Sequence, residues 1–340
     1  MTLAVRAMLA AGAMLLAALH ALAGVPSLIA GLHRGDELRY IYTLTTDETI
    51  ALSGTSGPDA VPMRAVSKQT VGVVFRVTAD TTATNIVEAT FETVRISMEA
   101  EGMKFEVDVN ARAPDEWASA AARDAYGWFR PLVGATLTLN IAPGSGEITT
   151  VRGGDETLKA AGAGSGHLRR YLDADLFRAA FGPVFQLKSN SVMPPPGEKW
   201  YIKAHVYACG AKAPVWETRR VELVEGDVAN IKALTRASAK PEEGAKSSVF
   251  FRAVDTSADL WWDTVRGRLT KAKGTATIAT RFDRLAGAAG AAGAVLQDSD
   301  LLCTWTLEMT EPAKPAPHPT PAPAESTIPS TPNAEPAKGP

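Results

Sequence analysis

Residues 134–154 read G134-ATLTLNIAPGSGEITTVRG-G154, a β-hairpin written in residue types. Leu137, Leu139 and Ile141 alternate with Thr136, Thr138 and Asn140, the period-2 pattern of a half-buried strand. Pro143-Gly144-Ser145-Gly146 breaks the run where glycine can adopt the positive φ of a tight reversal. Glu147 to Val151 supplies the return strand. By chain order the hairpin falls in the middle of the molecule, which predicts a place at the centre of a sheet, as the seam between two half-sheets.

The same alternation extends to both sides. Leu38, Tyr40, Tyr42 and Leu44 share one face of a first strand. In Gln69 to Asp80, Val71, Val73, Phe75 and Val77 point inward. Asn85 to Glu99 returns, but its apolar phase slips from Val87, Ala89 and Phe91 to Val94, Ile96 and Met98, which predicts a β-bulge near Thr93. Met103 to Val109 completes a meander. Later strands are expected over Lys199–Tyr207, Val215–Glu225, Val228–Ala237, Ser248–Val254, Thr275–Phe282 and Leu301–Met309, with a turn at Gly226-Asp227. One helix is predicted from Pro114-Asp115-Glu116 to about Tyr126, and another from His167 to Phe181, stopped by Gly182-Pro183. Gly35-Asp36-Glu37 and Gly197-Glu198-Lys199 are similar glycine-acid turns that each open an aromatic strand, a faint mark of duplication.

The ends carry a different message. Arg6 precedes an Ala, Leu, Met and Gly run from Ala7 to Leu19, and Ala21-Leu22-Ala23 has the small-x-small form of a signal-peptidase site. Residues 1–23 are expected to be a signal peptide, with export to the periplasm or the exterior. The alternative is an N-terminal membrane anchor, because apolar character continues through Val25, Leu28, Ile29 and Leu32. A single β-rich domain is expected over 32–310. From Pro312 to Pro340 the chain is rich in Pro and holds no aromatic residue, so it cannot offset its ordering entropy by burial. Residues 311–340 are expected to be a disordered tail, either a spacer or a tether to the cell envelope.

Composition narrows function by exclusion. The 340 residues are 46% hydrophobic and 21% charged, with a formal net charge of −2. That balance implies no basic face, so nucleic acid is not an expected partner. Cys209 and Cys303 are the only cysteines. Export permits a bond between them; two buried free thiols are the other reading. The histidines left after cleavage at Ala23 (His33, His167, His205 and His318) have no metal-ligand spacing, so no metal and no cofactor are expected. Gly162 to Gly166 lacks the spacing of a nucleophile elbow and the Lys-Ser/Thr of a phosphate loop. Ser165, His167 and Asp173 are the least implausible catalytic group, and the reading is that the protein is not an enzyme. Asp298 and Asp300 make a weak cation pair. Trp261 and Trp262 are adjacent, so one of them must face away from the core; they are the candidate ligand-binding residues.

In this order of marks the chain resembles an exported bacterial domain family of unknown function. The marks are Gly35 to Tyr42, the central Gly134-Ala135-Thr136-Leu137 hairpin with Gly144 to Ile148, the helix Leu168 to Phe181, Pro-Gly-x-x-Trp at Pro196 to Trp200, and Gly274-Thr275 to Phe282. They cover most of 34–310; the Ala/Gly-rich insertion after Arg284 departs from the pattern. Such domains look like the incompletely closed β-barrels of periplasmic lipoprotein carriers. The resemblance implies a mainly β (α+β) fold, a curved antiparallel sheet with two or three helices on one face. The expected function is a non-enzymatic module whose concavity takes a lipid or other apolar ligand. The alternative is a structural or interaction protein of the envelope acting through its tail.

Overall fold

Alternating apolar residues carry most of the chain into strands, and the strands form one sheet. The computed structural model describes residues 27–53, 62–188, 192–208, 211–239, 249–284 and 295–310. The expected signal peptide with its Ala23 site, Cys209, the Ala286–Ala294 stretch and the expected tail of residues 311–340 lie outside the described residues. The first half contributes β1 (Glu37–Ser53), β2 (Met63–Asp80), β3 (Asn85–Ala100), β4 (Met103–Asp108), β5 (Thr136–Ile141) and β6 (Ile148–Arg152). The second contributes β7 (Lys199–Ala208), β8 (Ala211–Glu225), β9 (Val228–Ala239), β10 (Val249–Asp263), β11 (Arg268–Arg284) and β12 (Val295–Thr310).

All pairings are antiparallel, in the order β6-β5-β3-β2-β1-β12-β11-β10-β9-β8-β7, with β4 beside β3. The first and last strands join the two halves, from Arg39 opposite Thr310 to Ser53 opposite Leu296. β6 and β7 end the sheet and do not pair, so the barrel is unclosed. The Gly134–Gly154 hairpin therefore lies at one lip of the opening, not in the middle of the sheet. Chain order misplaced it because the two halves are joined through the first and last strands, β1 and β12, which leaves the middle of the chain at the edges.

Local signals fare better. The register of β2 and β3 shifts between Gly72 and Val73, where Thr93 and then Phe91 are the partners, leaving Glu92 as the extra residue of the bulge. Glu92 turns outward to Arg39 at 2.6 Å. Gly35 and Gly197 both have positive φ (92° and 86°), and both donate to the strand that pairs next to them, Val77 at 2.9 Å and Val221 at 2.8 Å. The two turns thus share one geometry.

The helices differ from expectation. α1 (Ala120–Phe129) starts later than Pro114, because the Ser119 hydroxyl accepts from the Ala122 amide and fixes the first turn there. α2 (Gly154–Ala161) has no counterpart in the sequence reading. The predicted helix His167–Phe181 is two, α3 (Ser165–Leu172) and α4 (Ala174–Phe181). Asp173 is extended between them, and its carboxylate accepts from the Asp175 and Leu176 amides at 3.0 and 3.2 Å. An N-cap inside an apolar i, i+4 pattern splits the helix without interrupting the pattern.

The helices pack on the concave face. Phe75 of β2 meets Phe177, Phe181 and Phe185 at 6.4, 5.9 and 5.2 Å between ring centroids, and Tyr171 meets Phe91 at 6.1 Å. The apolar residues before β1 join this core: Leu28 is fully buried, and its carbonyl accepts from Leu187 at 3.0 Å while Ala30 donates to Phe185. The segment from Leu28 to Leu32 is therefore part of the domain, and its hydrophobicity is that of a core strap. A second apolar cluster (Val206, Ala213, Val215, Val249, Phe251, Val254 and Ile278) lies toward the other end of the long strands β7, β8, β10 and β11.

Candidate functional site

The helices cover only part of the concave face, and the limit of the cover is marked by a hydrogen bond. The Tyr171 hydroxyl of α3 donates to Gln69 of β2 at 2.7 Å. One step further along the strands, a single row crosses the sheet: Phe105, Met98, Ser67, Thr46, Cys303 and Ala276 are successive partners on β4, β3, β2, β1, β12 and β11. Residues directly opposite in a ladder share a face, so all six point into the concavity. Phe105 is buried and the other five are half-buried, unlike the sealed core beneath the helices. The next row runs Met103, Ala100, Ala65, Glu48, Leu301 and Ile278. These rows are apolar apart from three groups that satisfy one another or the neighbouring strand. Thr46 and Ser67 hydroxyls are 2.7 Å apart, and Glu48 accepts from the Ser299 hydroxyl at 2.7 Å.

The electrostatics of this zone follow from burial. Burial pushes the Cys303 thiol up to about 11 and the Tyr42 phenol up to about 12, while the Arg170 guanidinium nearby pulls both partly back. Tyr171 is raised for the same reason. Arg170 projects from α3 toward these groups, and its Nη1 is buried without a hydrogen-bond partner among the described residues. Arg170 is thus a half-buried cation beside an apolar face, while the more deeply buried Arg219 is satisfied by Glu217 and the Leu187 carbonyl.

The sequence candidates fall in different places. Trp262 is fully buried and its indole N–H donates to the Ser27 carbonyl at 2.7 Å, which pins the strap before β1. Trp261 faces outward under the Lys273 ammonium, 5.3 Å from the ring centroid. The two are thus on opposite faces, and neither lies in the concave rows. Cys303 is a free thiol in those rows, and Cys209 lies outside the described residues.

Ser165, His167 and Asp173 do not assemble. No hydrogen bond links them, Asp173 is occupied as the cap of α4, and the His167 ring stacks on Trp128 at 4.6 Å and 12°. Asp298 accepts from Nε and Nη2 of Arg281 at 2.9 and 3.1 Å, and Asp300 accepts from Arg252 at 3.2 Å. Those carboxylates are neutralised by arginine rather than held for a cation. Sequence reasoning missed Arg170 and the paired rows, since a row exists only once the register of six strands is known.

No family model matches the chain. No curated protein matches it either. Among solved structures, the outer membrane protein OprG from Pseudomonas aeruginosa is similar at a TM-score of 0.24 and 6% identity, over 82% of this chain and 98% of that one. OccK7 (OpdD) from Pseudomonas aeruginosa gives 0.22 and 6%, over 81% and 100%. The COG4313 outer membrane channel from Pseudomonas putida F1 gives 0.18 and 8%, over 83% and 98%. Likenesses at these TM-scores support no statement about this chain.

Proposed function

We propose that the chain is a non-enzymatic protein of the bacterial envelope that takes an apolar chain on the part of its concave face beyond the helices. The observation that carries this reading is that the apolar face outruns its cover. Under α3 and α4 the concavity is filled by Phe177, Phe181 and Phe185, whereas Met98, Met103, Leu301 and Cys303 further along the same strands are only half-buried. Half-buried apolar side chains on a curved sheet retain part of the hydrophobic driving force, roughly 25 cal/mol per Å² still to be gained on further burial. The location is read from the sequence, where residues 1–23 have the form of an export signal.

The test is displacement of an apolar fluorescent probe from the full chain by extracted envelope lipids. Leu301→Asp, which puts a charge into the concave row, abolishes probe binding, while Leu302→Asp on the outward face of the same strand leaves it intact. Equal binding by both variants, or none by the unaltered chain, overturns the reading. Fractionation of cells producing the chain locates it, and recovery in the cytoplasm removes the envelope assignment.

A further inference from the structure

On the outward face of β7, β8 and β9 the register places Lys199, Arg220 and Lys232 directly abreast. Like charges opposite one another in a ladder repel, so such a row costs stability unless an anion lies over it. The next row on the same face is Tyr201, Thr218 and Leu234, and the one after it sets Lys203 beside Trp216. Tyr201 and Trp216 are 65% and 67% exposed, and Leu223 and Leu234 are exposed on the same three strands. Carboxylates compensate only part of the charge. Glu222 pairs with Arg220 at 2.6 Å, Asp255 lies 3.5 Å from Arg236, and Asp259, beside Lys232, is 3.9 Å from Lys273. Lys199, Lys203 and Lys232 have no ion pair among the described residues. A shallow groove of ≈ 410 Å³ runs between Lys199, Trp216, Arg220, Lys232, Leu234 and Arg236.

We propose that this face docks on a bilayer of anionic phospholipids. Charge complementarity selects an anionic surface, although the whole chain carries a formal charge of −2, because Lys199, Lys203, Arg220, Lys232 and Arg236 share one face of three strands. The exposed Trp, Tyr and Leu select a surface that also offers an apolar layer, which a soluble polyanion lacks; indole and phenol rings sit at the level of lipid headgroups. A free phosphate is a poor fit, because the groove is shallow and its cations stand at its rim in water. The inference is independent of the concave face, and either reading can fail alone.

The experiment is co-sedimentation of the full chain with vesicles of phosphatidylcholine alone and with a third phosphatidylglycerol. Binding is at least tenfold tighter to the anionic vesicles and weakens steeply with added salt. Each of Lys199→Ala and Lys232→Ala weakens it roughly fivefold, and Trp216→Ser weakens it in low and high salt alike. Lys232→Gln also raises the melting temperature in the absence of vesicles, because it relieves the like-charge row. Equal binding to neutral vesicles, equal binding by the lysine variants, or binding of an oligonucleotide without vesicle binding each overturns the proposal.

Discussion

The Arg178 guanidinium on α4 donates to the main-chain carbonyl of Ile148 at 2.9 Å and to that of Thr149 at 3.1 Å, so a helix side chain caps the end strand of the sheet. From the same helix Asp175 meets the Lys212 ammonium of β8 at 3.0 Å. α4 therefore touches both sides of the unclosed barrel. An uncovered strand edge offers unpaired carbonyls and amides to other chains, and a helix laid across the opening is one way to blunt it. Lys212 and Arg178 hold the Asp175 carboxyl below the usual carboxylate range.

Arg178→Met keeps the aliphatic stem and removes the charge-assisted bonds to β6. Hydrogen bonds to charged groups contribute up to about 3 kcal/mol each when buried and less at a half-exposed site. The expected loss is roughly 1–2 kcal/mol in urea unfolding, with faster amide exchange confined to β6 and α4. Exchange that rises evenly over the whole sheet would show that Arg178 does not guard the lip.

Gly274 is needed because the Trp305 ring lies over it; a Cβ at this position would stand 2.5 Å from the indole. Gly274→Val drives the ring out of its place and costs roughly 1–3 kcal/mol as an overpacking change. Tryptophan emission shifts to the red as the indole is exposed. Gly144→Val, in a turn where nothing stands within 4 Å of the added atom, is the matched control with little loss.

Trp262→Phe removes the indole N–H that binds the Ser27 carbonyl while keeping an aromatic ring in the core. The loss is about 1–2 kcal/mol for the bond and the smaller ring. Its specific signature is protease sensitivity near residues 27–32, because the strap before β1 loses its pin. Unchanged cleavage there would assign the strap's stability to Leu28 and Phe185 alone.

Cys303 and Tyr42 predict alkaline lability. Both are acids whose ionised form burial disfavours, with folded values of about 11 and about 12 against ordinary values of 9.0 and 10.0. The unfolded chain therefore releases these protons first. Stability is intact below about pH 9 and falls as the pH rises through 9–11 for Cys303 and 10–12 for Tyr42. Urea midpoints at pH 8 and pH 10.5 measure the fall, and Cys303→Ala makes it shallower. A steeper fall in Cys303→Ala would contradict the assignment. The native thiol also reacts slowly with an aromatic disulfide at pH 8, since the thiolate is the nucleophile.

Legibility followed the range of the forces involved. The strands of the first meander, the Thr93 bulge and the Gly226 turn are written in alternation, phase and turn residues, all local to a few positions. The split at Asp173 was missed because an aspartate can be a solvated surface residue or a cap, and only the backbone at 173 decides between them. In the sequence the strap before β1 looks like the continuation of a membrane anchor, because apolar residues beside an export-like signal have the same composition as a core segment. The cationic row was hidden by the overall charge: Lys199, Arg220 and Lys232 lie on the polar phases of three strands, and a near-neutral total says nothing of how charges are sorted between faces.

By itself the sequence determined that this is a mainly β chain with covering helices and an export-like N-terminus, because period-2 burial and turn chemistry are properties of short windows. Tertiary structure alone decided that the first and last strands pair, and that the Gly134–Gly154 hairpin stands at the lip of an unclosed barrel instead of its centre. The same pairing decided which residues share a row on each face. Partner choice between strands depends on contacts hundreds of residues apart, such as Tyr40 donating to the Leu269 carbonyl at 2.6 Å, and no window of sequence contains both groups.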